Sequence, residues 1–138
     1  MQITVQATIN APIQLVWECF TKPEHITQWN FASTDWICPT ASNNIAVNGT
    51  FVWRMEAKDG SAGFDFTGTY TEIVTEKLIA YTMPDGRTVS INFTKTDEGI
   101  VVSETFDTEN IHDVEMQRAG WQAILENFKI YVESKNQK

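Results

Sequence analysis

From residue 49 to residue 107 apolar side chains recur at every second position, broken only at short polar turns, and both flanks carry helical spacing instead. Period-two alternation lays one face of a segment on a core and leaves the other to water, so this stretch is predicted to fold as half-buried antiparallel strands. The inward-capable positions are unusually aromatic: Phe51, Trp53, Phe64, Phe66, Tyr70, Tyr81 and Phe93. That much planar bulk on one face, closed off by Trp121 near the C-terminus, predicts a curved sheet gripping a long helix over an apolar pocket.

The rest of the chain supplies the helices. Gln2 to Ile9 alternates without a break, which puts Ile3, Val5, Ala7 and Ile9 on one face of a first strand. Asn10 is expected to cap a helix with Pro12 in its first turn and Ile13, Val16, Trp17 and Phe20 as its apolar stripe. A second short helix is expected from Pro23 to about Trp29, capped by Thr21 and with Glu24 in its first turn. Asn30 to Asn48 has weak periodicity, Pro39 and several asparagines, and is expected to be a long irregular loop at the mouth of any pocket.

Lys58-Asp59-Gly60, Pro84-Asp85-Gly86 and Asp97-Glu98-Gly99 then mark turns between strands expected at Thr50–Ala57, Phe64–Val74, Lys77–Met83, Thr88–Thr96 and Ile100–Phe106. Connections this short make a sequential antiparallel meander. A final helix is expected from a cap at Asn110, with Asp113 three residues on, to about Glu133, leaving Ser134 to Lys138 frayed. Trp121, Ile124, Leu125, Phe128 and Val132 form its apolar face, and Gly120 in its interior is expected to mark a close approach to the sheet or a slight bend.

The fold class is therefore α+β, one domain over residues 1–138: a curved antiparallel sheet wrapped around a long C-terminal helix, with two short helices after the first strand. A net charge of −8 would repel a phosphate backbone, so nucleic acid is not an expected partner. No apolar run approaches the roughly 20 residues needed to span a bilayer, so membrane insertion is not expected. With no basic and apolar leader pattern at Met1, the chain is expected to be cytoplasmic.

Few residues suggest chemistry. Cys19 and Cys38 fit no metal or redox spacing, a disulfide between them is disfavoured in a reducing compartment, and Cys19 is expected to be a small core residue. His25 and His112 have no neighbouring nucleophile and are expected at the surface or at helix ends. Gly60 and Gly63 lie in a hairpin and precede no helix, so they cradle no phosphate. No metal and no cofactor are expected, and no catalytic residue is assigned. Among the carboxylates, alternation sends Glu56 and Asp65 to solvent, with Arg54 beside Glu56 in a surface ion pair. Glu104 is different, because it shares the face of Val102 and Phe106.

A family resemblance adds to this. Ile9-Asn10-Ala11-Pro12-Ile13-Gln14-Leu15-Val16-Trp17 is similar to an "I-x-A-P-x-x-x-V-W" opening, and Pro23 to Trp29 matches "P-E-x-x-x-x-W". With Gly68-Thr69-Tyr70-Thr71-Glu72-Ile73 and the later Gly120-Trp121 and Leu125, the chain resembles the START-like helix-grip superfamily, in the branch named for activators of a heat-shock protein's ATPase. The resemblance implies the same helix-grip fold, a chaperone as one partner, and a part in the stress response.

Function is expected to be non-catalytic binding of a small apolar ligand between sheet and C-terminal helix. Phe51, Trp53, Met55, Phe64, Phe66, Tyr70, Tyr81 and Phe93 are the expected sheet wall; Met116, Trp121 and Phe128 the helix wall; Trp29 and Trp36 the entrance. Tyr70, Tyr81, Thr82 and Arg87 are candidate polar groups. Two alternatives stay open: a protein-interaction module, including a homodimer with one apolar patch shared between copies, and a polyketide-cyclase-like enzyme using Glu104.

Overall fold

A computed structural model of the chain describes residues 1–136. The elements run β1 (Gln2–Ile9), α1 (Ile13–Thr21), α2 (Pro23–Trp29), β2 (Trp36–Asn43), β3 (Thr50–Ala57), β4 (Gly63–Val74), β5 (Leu78–Thr82), β6 (Thr88–Thr96), β7 (Gly99–Asp107) and α3 (Val114–Asn136). All seven strands join one curled antiparallel sheet in the order β1-β7-β6-β5-β4-β3-β2. The meander supplies six of them in sequence, and β1 closes the far edge by pairing with β7 from Gln2↔Asp107 to Ile9↔Ile100. This is the helix-grip fold expected from the alternation.

The concave face is built by strict parity. Ile3, Val5, Ala7 and Ile9 of β1, Phe51, Trp53 and Met55 of β3, Ile79 and Tyr81 of β5, and Ile100, Val102 and Phe106 of β7 are all buried. Over this face lies α3, whose Leu125, Phe128 and Val132 are buried and each contribute on the order of 2 kcal/mol by leaving water. Nearer its N-terminus, Trp121 stacks flat on Phe106, with ring centroids 4.1 Å apart and planes 9° from parallel.

Glycine fits the sheet together at two points. A Cβ at Gly68 would stand 2.6 Å from the Phe51 ring, so the missing side chain is the space that ring occupies. Gly99 opens β7 at φ +135° against the backbone of Ile9, a conformation and a closeness that exclude any side chain.

Several local expectations are corrected. The segment 30–48 is not irregular throughout, since β2 pairs with β3 across a bulge between Ile37 and Thr40. Pro39 and the polar run disguise an edge strand, where a missing N–H is tolerated and alternation is weak. Asn10 does not cap α1: Pro12 is the N-cap with extended backbone, and the Asn10 N–H donates to Glu133 Oε2 at 2.9 Å.

Thr21 lies inside the last turn of α1, donating its hydroxyl to the Trp17 carbonyl at 2.8 Å, and Lys22 is the N-cap of α2. Asp113, rather than Asn110, caps α3 by accepting from the Glu115 N–H at 3.1 Å. That helix continues through Ser134 to Asn136, while Gln137 and Lys138 lie outside the described residues. Gly120 makes no close approach, because a Cβ there would meet nothing within 4 Å.

Two substitutions test this packing. Trp121→Ala removes the stack on Phe106 and is predicted to lower stability by about 2–3 kcal/mol in denaturant melts, a loss below about 1 kcal/mol meaning that the ring does not hold the helix. Gly120→Ala has room for its methyl and a helical backbone, so it is predicted to raise stability by about 0.5–1 kcal/mol; a loss would show a contact that Gly120 avoids.

Candidate functional site

Sheet and helix do not meet everywhere. Between the N-terminal half of α3 and the middle of the sheet lies a cavity of about 200 Å³. Its floor comes from Trp53 and Met55 of β3, Phe64 and Phe66 of β4, Tyr81 of β5, Ile91 of β6 and Glu104 of β7. Trp121 and Ile124 of α3 form the roof, and Phe20 of α1, Trp29 of α2 and the following Asn30 form one end.

The rings brace one another. Phe66 lies 5.8 Å from Trp53 and 6.4 Å from Trp121 across the cavity, while Trp29 stands edge-on to Trp53 at 6.4 Å. Trp29 is fixed by its Nε1–H donating to the Cys19 carbonyl at 2.9 Å. Asn30, also buried, donates through Nδ2 to the Met55 sulfur at 3.3 Å. The Trp53 Nε1–H is fully buried and finds no acceptor among the described residues.

Glu104 is the chemical centre of this space. It takes the third place in the inward series Ile100, Val102, Glu104, Phe106, flanked in register by Val5 of β1 and Ile91 of β6. Only 7% of its surface is exposed, and burial alone pushes its carboxyl up to about 8. At neutral pH the group is therefore mostly protonated, both donor and acceptor. Tyr81 is the other titratable lining residue, its phenol raised by burial first and by Glu104 second.

Of the residues expected at the site, Trp29, Trp53, Met55, Phe64, Phe66, Tyr81 and Trp121 line the cavity. The others do not. Phe51 fills the gap over Gly68, 4.8 Å from Tyr81, and Tyr70 packs on it at 5.3 Å with its hydroxyl donated to Asn43 Oδ1. Phe93 is enclosed by Trp17 at 5.3 Å and Phe20 at 5.6 Å, and Phe128 by Trp29 at 4.8 Å. Trp36 sits edge-on to the half-exposed Phe64 at 6.0 Å, near the rim but outside the lining. Met116 is 62% exposed, being five residues before Trp121 and so about 140° round the helix from it.

Phe20, Asn30, Ile91 and Ile124 line the cavity without being among the residues expected there, and Glu104, expected only for the enzyme alternative, joins them. Parity with Phe93 marked Ile91, the helical stripes marked Phe20 and Ile124, and no signal marked Asn30.

The remaining candidates stay apart from the cavity. Arg87 pairs with Asp85 at 2.7 Å in the β5–β6 turn, and Thr82 lies in a separate shallow depression with Val52, Thr67 and Pro84. Arg54 bridges Glu56 at 3.0 Å and Asp65 at 3.5 Å on the outer face. His25 shares a 2.6 Å hydrogen bond with the Tyr131 hydroxyl, and His112 one of 2.8 Å with Glu109. Both cysteines are free and buried, with burial pushing the Cys19 thiol up to about 11 and Cys38 in the same direction, so neither is activated as a thiolate. Among the described residues no group of three or more His, Cys, Asp or Glu could hold a metal ion, and no helix is long and apolar enough to cross a membrane.

Comparison with known proteins places this geometry. Residues 10–133 match the family described as Activator of Hsp90 ATPase homolog 1-like protein. The solution structure of the AHSA1-like protein from Aeromonas hydrophila is 43% identical, with a TM-score of 0.93 over 100% of this chain and 96% of that one. A solution structure from Cytophaga hutchinsonii is 46% identical, with a TM-score of 0.84 over 97% and 93%. A crystal structure from Nitrosomonas europaea, at 18% identity and TM-score 0.87 over 100% and 97%, shows the shared fold alone. No curated protein matches.

Burial of Glu104 carries a pH signature. The native carboxyl holds its proton up to about 8 while the unfolded one loses it near its ordinary value of 4.5, so between these the native state binds more protons. Its contribution is most favourable below 4.5, falls as pH rises to about 8, and is flat beyond. Glu104→Gln is therefore predicted to gain stability relative to the parent from pH 5 to 8, by on the order of a few kcal/mol in denaturant melts. A difference that does not change with pH would mean that the carboxyl reaches water.

Proposed function

The chain belongs to the Activator of Hsp90 ATPase homolog 1-like family, and on that premise we propose that its cavity binds a small, largely apolar molecule without transforming it. The single observation that carries the proposal is a partly open aromatic cavity with one buried carboxyl and no partner for that carboxyl among the lining residues. Small-molecule sites combine such apolar walls with a few polar groups that orient the ligand. A cavity of about 200 Å³ suits a molecule of one or two rings. The proposal places the protein in the cytoplasm, where reducing conditions keep Cys19 and Cys38 free.

The fold is equally consistent with an interaction module. Its candidate contacts are exposed apolar residues such as Ile111 just before α3, Met116 at its start and Ile130, fourteen residues and roughly 21 Å of helix beyond Met116. A chaperone partner and a part in the stress response rest on the family description alone. The enzyme alternative gains one observation: a carboxyl poised near neutrality inside a cavity is what a general acid needs. The carboxyl's one titratable companion in the lining is Tyr81, whose phenol burial moves further from neutrality, and no Ser, Cys, His, Lys or Arg lines the space.

The proposal predicts that a naphthalene-sized apolar probe binds with micromolar affinity and quenches the emission of the lining tryptophans Trp29, Trp53 and Trp121. Trp53→Ala should weaken that binding more than it weakens folding, because a cavity wall has fewer packing neighbours than a filled core. Failure of the native protein to bind, or equal binding after the substitution, would leave an ordinary packed core.

A further inference from the structure

Glu104 is expensive where it stands. An aliphatic residue would continue the series Ile100, Val102 and Phe106, whereas burial disfavours a carboxylate there and no lining side chain hydrogen-bonds to it. The groups facing it define what could compensate. β1 offers Val5, β6 offers Ile91, α3 offers Trp121 and Ile124, and β5 offers Tyr81, the one other titratable group. No Lys, Arg or His lines the cavity, and Arg87 is held by Asp85 in a turn.

Seven of the twelve lining residues are aromatic, three of them tryptophans. Ring faces carry negative electrostatic potential and attract cations, most strongly when water is excluded. The chain as a whole carries −8, which raises the local concentration of cations and lowers that of anions. An anionic ligand would meet Glu104 with no counter-charge in the cavity. A hydrocarbon would leave the carboxyl as unpartnered as before. A neutral hydrogen-bonding ligand would satisfy Glu104 but gain nothing from the potential of the rings, whereas a cation draws on both.

We propose that the cavity is built for an organic cation, an apolar body bearing an ammonium group, with Glu104 as its counter-ion and the surrounding rings as its cage. This rests on the ligand-binding function above and specifies the charge of the ligand. In the empty protein the carboxyl keeps its proton up to about pH 8, so below that pH the entering cation expels one proton to solvent. Affinity then rises with pH, by up to about tenfold per unit, and levels off above about 8. A neutral ligand that accepts a hydrogen bond from the protonated acid shows the opposite slope.

The test uses two probes of nearly the same shape, benzyltrimethylammonium and its uncharged carbon twin neopentylbenzene, neither of which titrates. In the native protein at pH 9 the cation should bind at least about tenfold more tightly than its twin, weaken steadily from pH 8 to pH 6, and release close to one proton at pH 7, read by calorimetry in buffers of different ionisation enthalpy. Glu104→Gln should abolish the cation's pH slope and its proton release and reduce its advantage over the twin to what the rings alone supply. The calorimetry needs only the native protein, so the test survives a variant that fails to fold. Equal binding of the two probes, or tighter binding of the twin, with no proton release would overturn the cation while leaving ligand binding intact. Binding of neither probe would overturn both.

Discussion

The seam of α3 pressed against the concave sheet is the contact on which the rest depends. A seven-stranded curled sheet presents more apolar surface on its inner face than any loop could cover, and one long helix covers it. The grip is uneven along its length. Toward the C-terminus Leu125, Phe128 and Val132 seal against the core, with Phe128 wedged between Phe20 and Trp29 at 5.2 and 4.8 Å. Toward the N-terminus contact narrows to the stack of Trp121 on Phe106. Rigid rings cannot follow a curved surface everywhere, and the cavity is the space left between these two holds.

How that space is treated separates it from an accidental void. Where Phe51 meets β4, Gly68 makes room and the rings interlock. Beside Ile91 and Trp121, by contrast, the chain places a carboxyl, which neither fills the volume nor finds a bond. A core selected for stability alone would close the gap with a methyl-bearing side chain. Local rules broken without structural compensation are the expected mark of function, and Glu104 is the clearest such break on the inner face.

Much of this was legible in the chain, and the limits have physical causes. Period-two alternation and turn chemistry located β1, β3 and β6 at both ends, because a half-buried strand encodes its own inner face. The edge strand β2 escaped because its pairing comes from β3 rather than from its own pattern. Caps were misplaced by one to three residues, because the neighbouring Pro12, Lys22 and Asp113 take the positions expected for Asn10, Thr21 and Asn110. For the site, parity identified which aromatics point inward but not which meet a void. Phe51, Tyr70, Phe93 and Phe128 point inward as fully as Trp53 and Tyr81, and only the volumes of non-local neighbours divide core from cavity wall. Met116 was misplaced for a simpler reason, one of helical phase.

The central claim is that the inner face holds a carboxyl out of water, inside an aromatic cavity that the helix covers without filling. Carbon-13 NMR titration of the Glu104 side-chain carboxyl in the ligand-free protein measures this directly. A midpoint near 8 with intact folded-state signals is the predicted result. A midpoint near the ordinary 4.5 would place Glu104 in contact with bulk water and contradict its burial in the cavity.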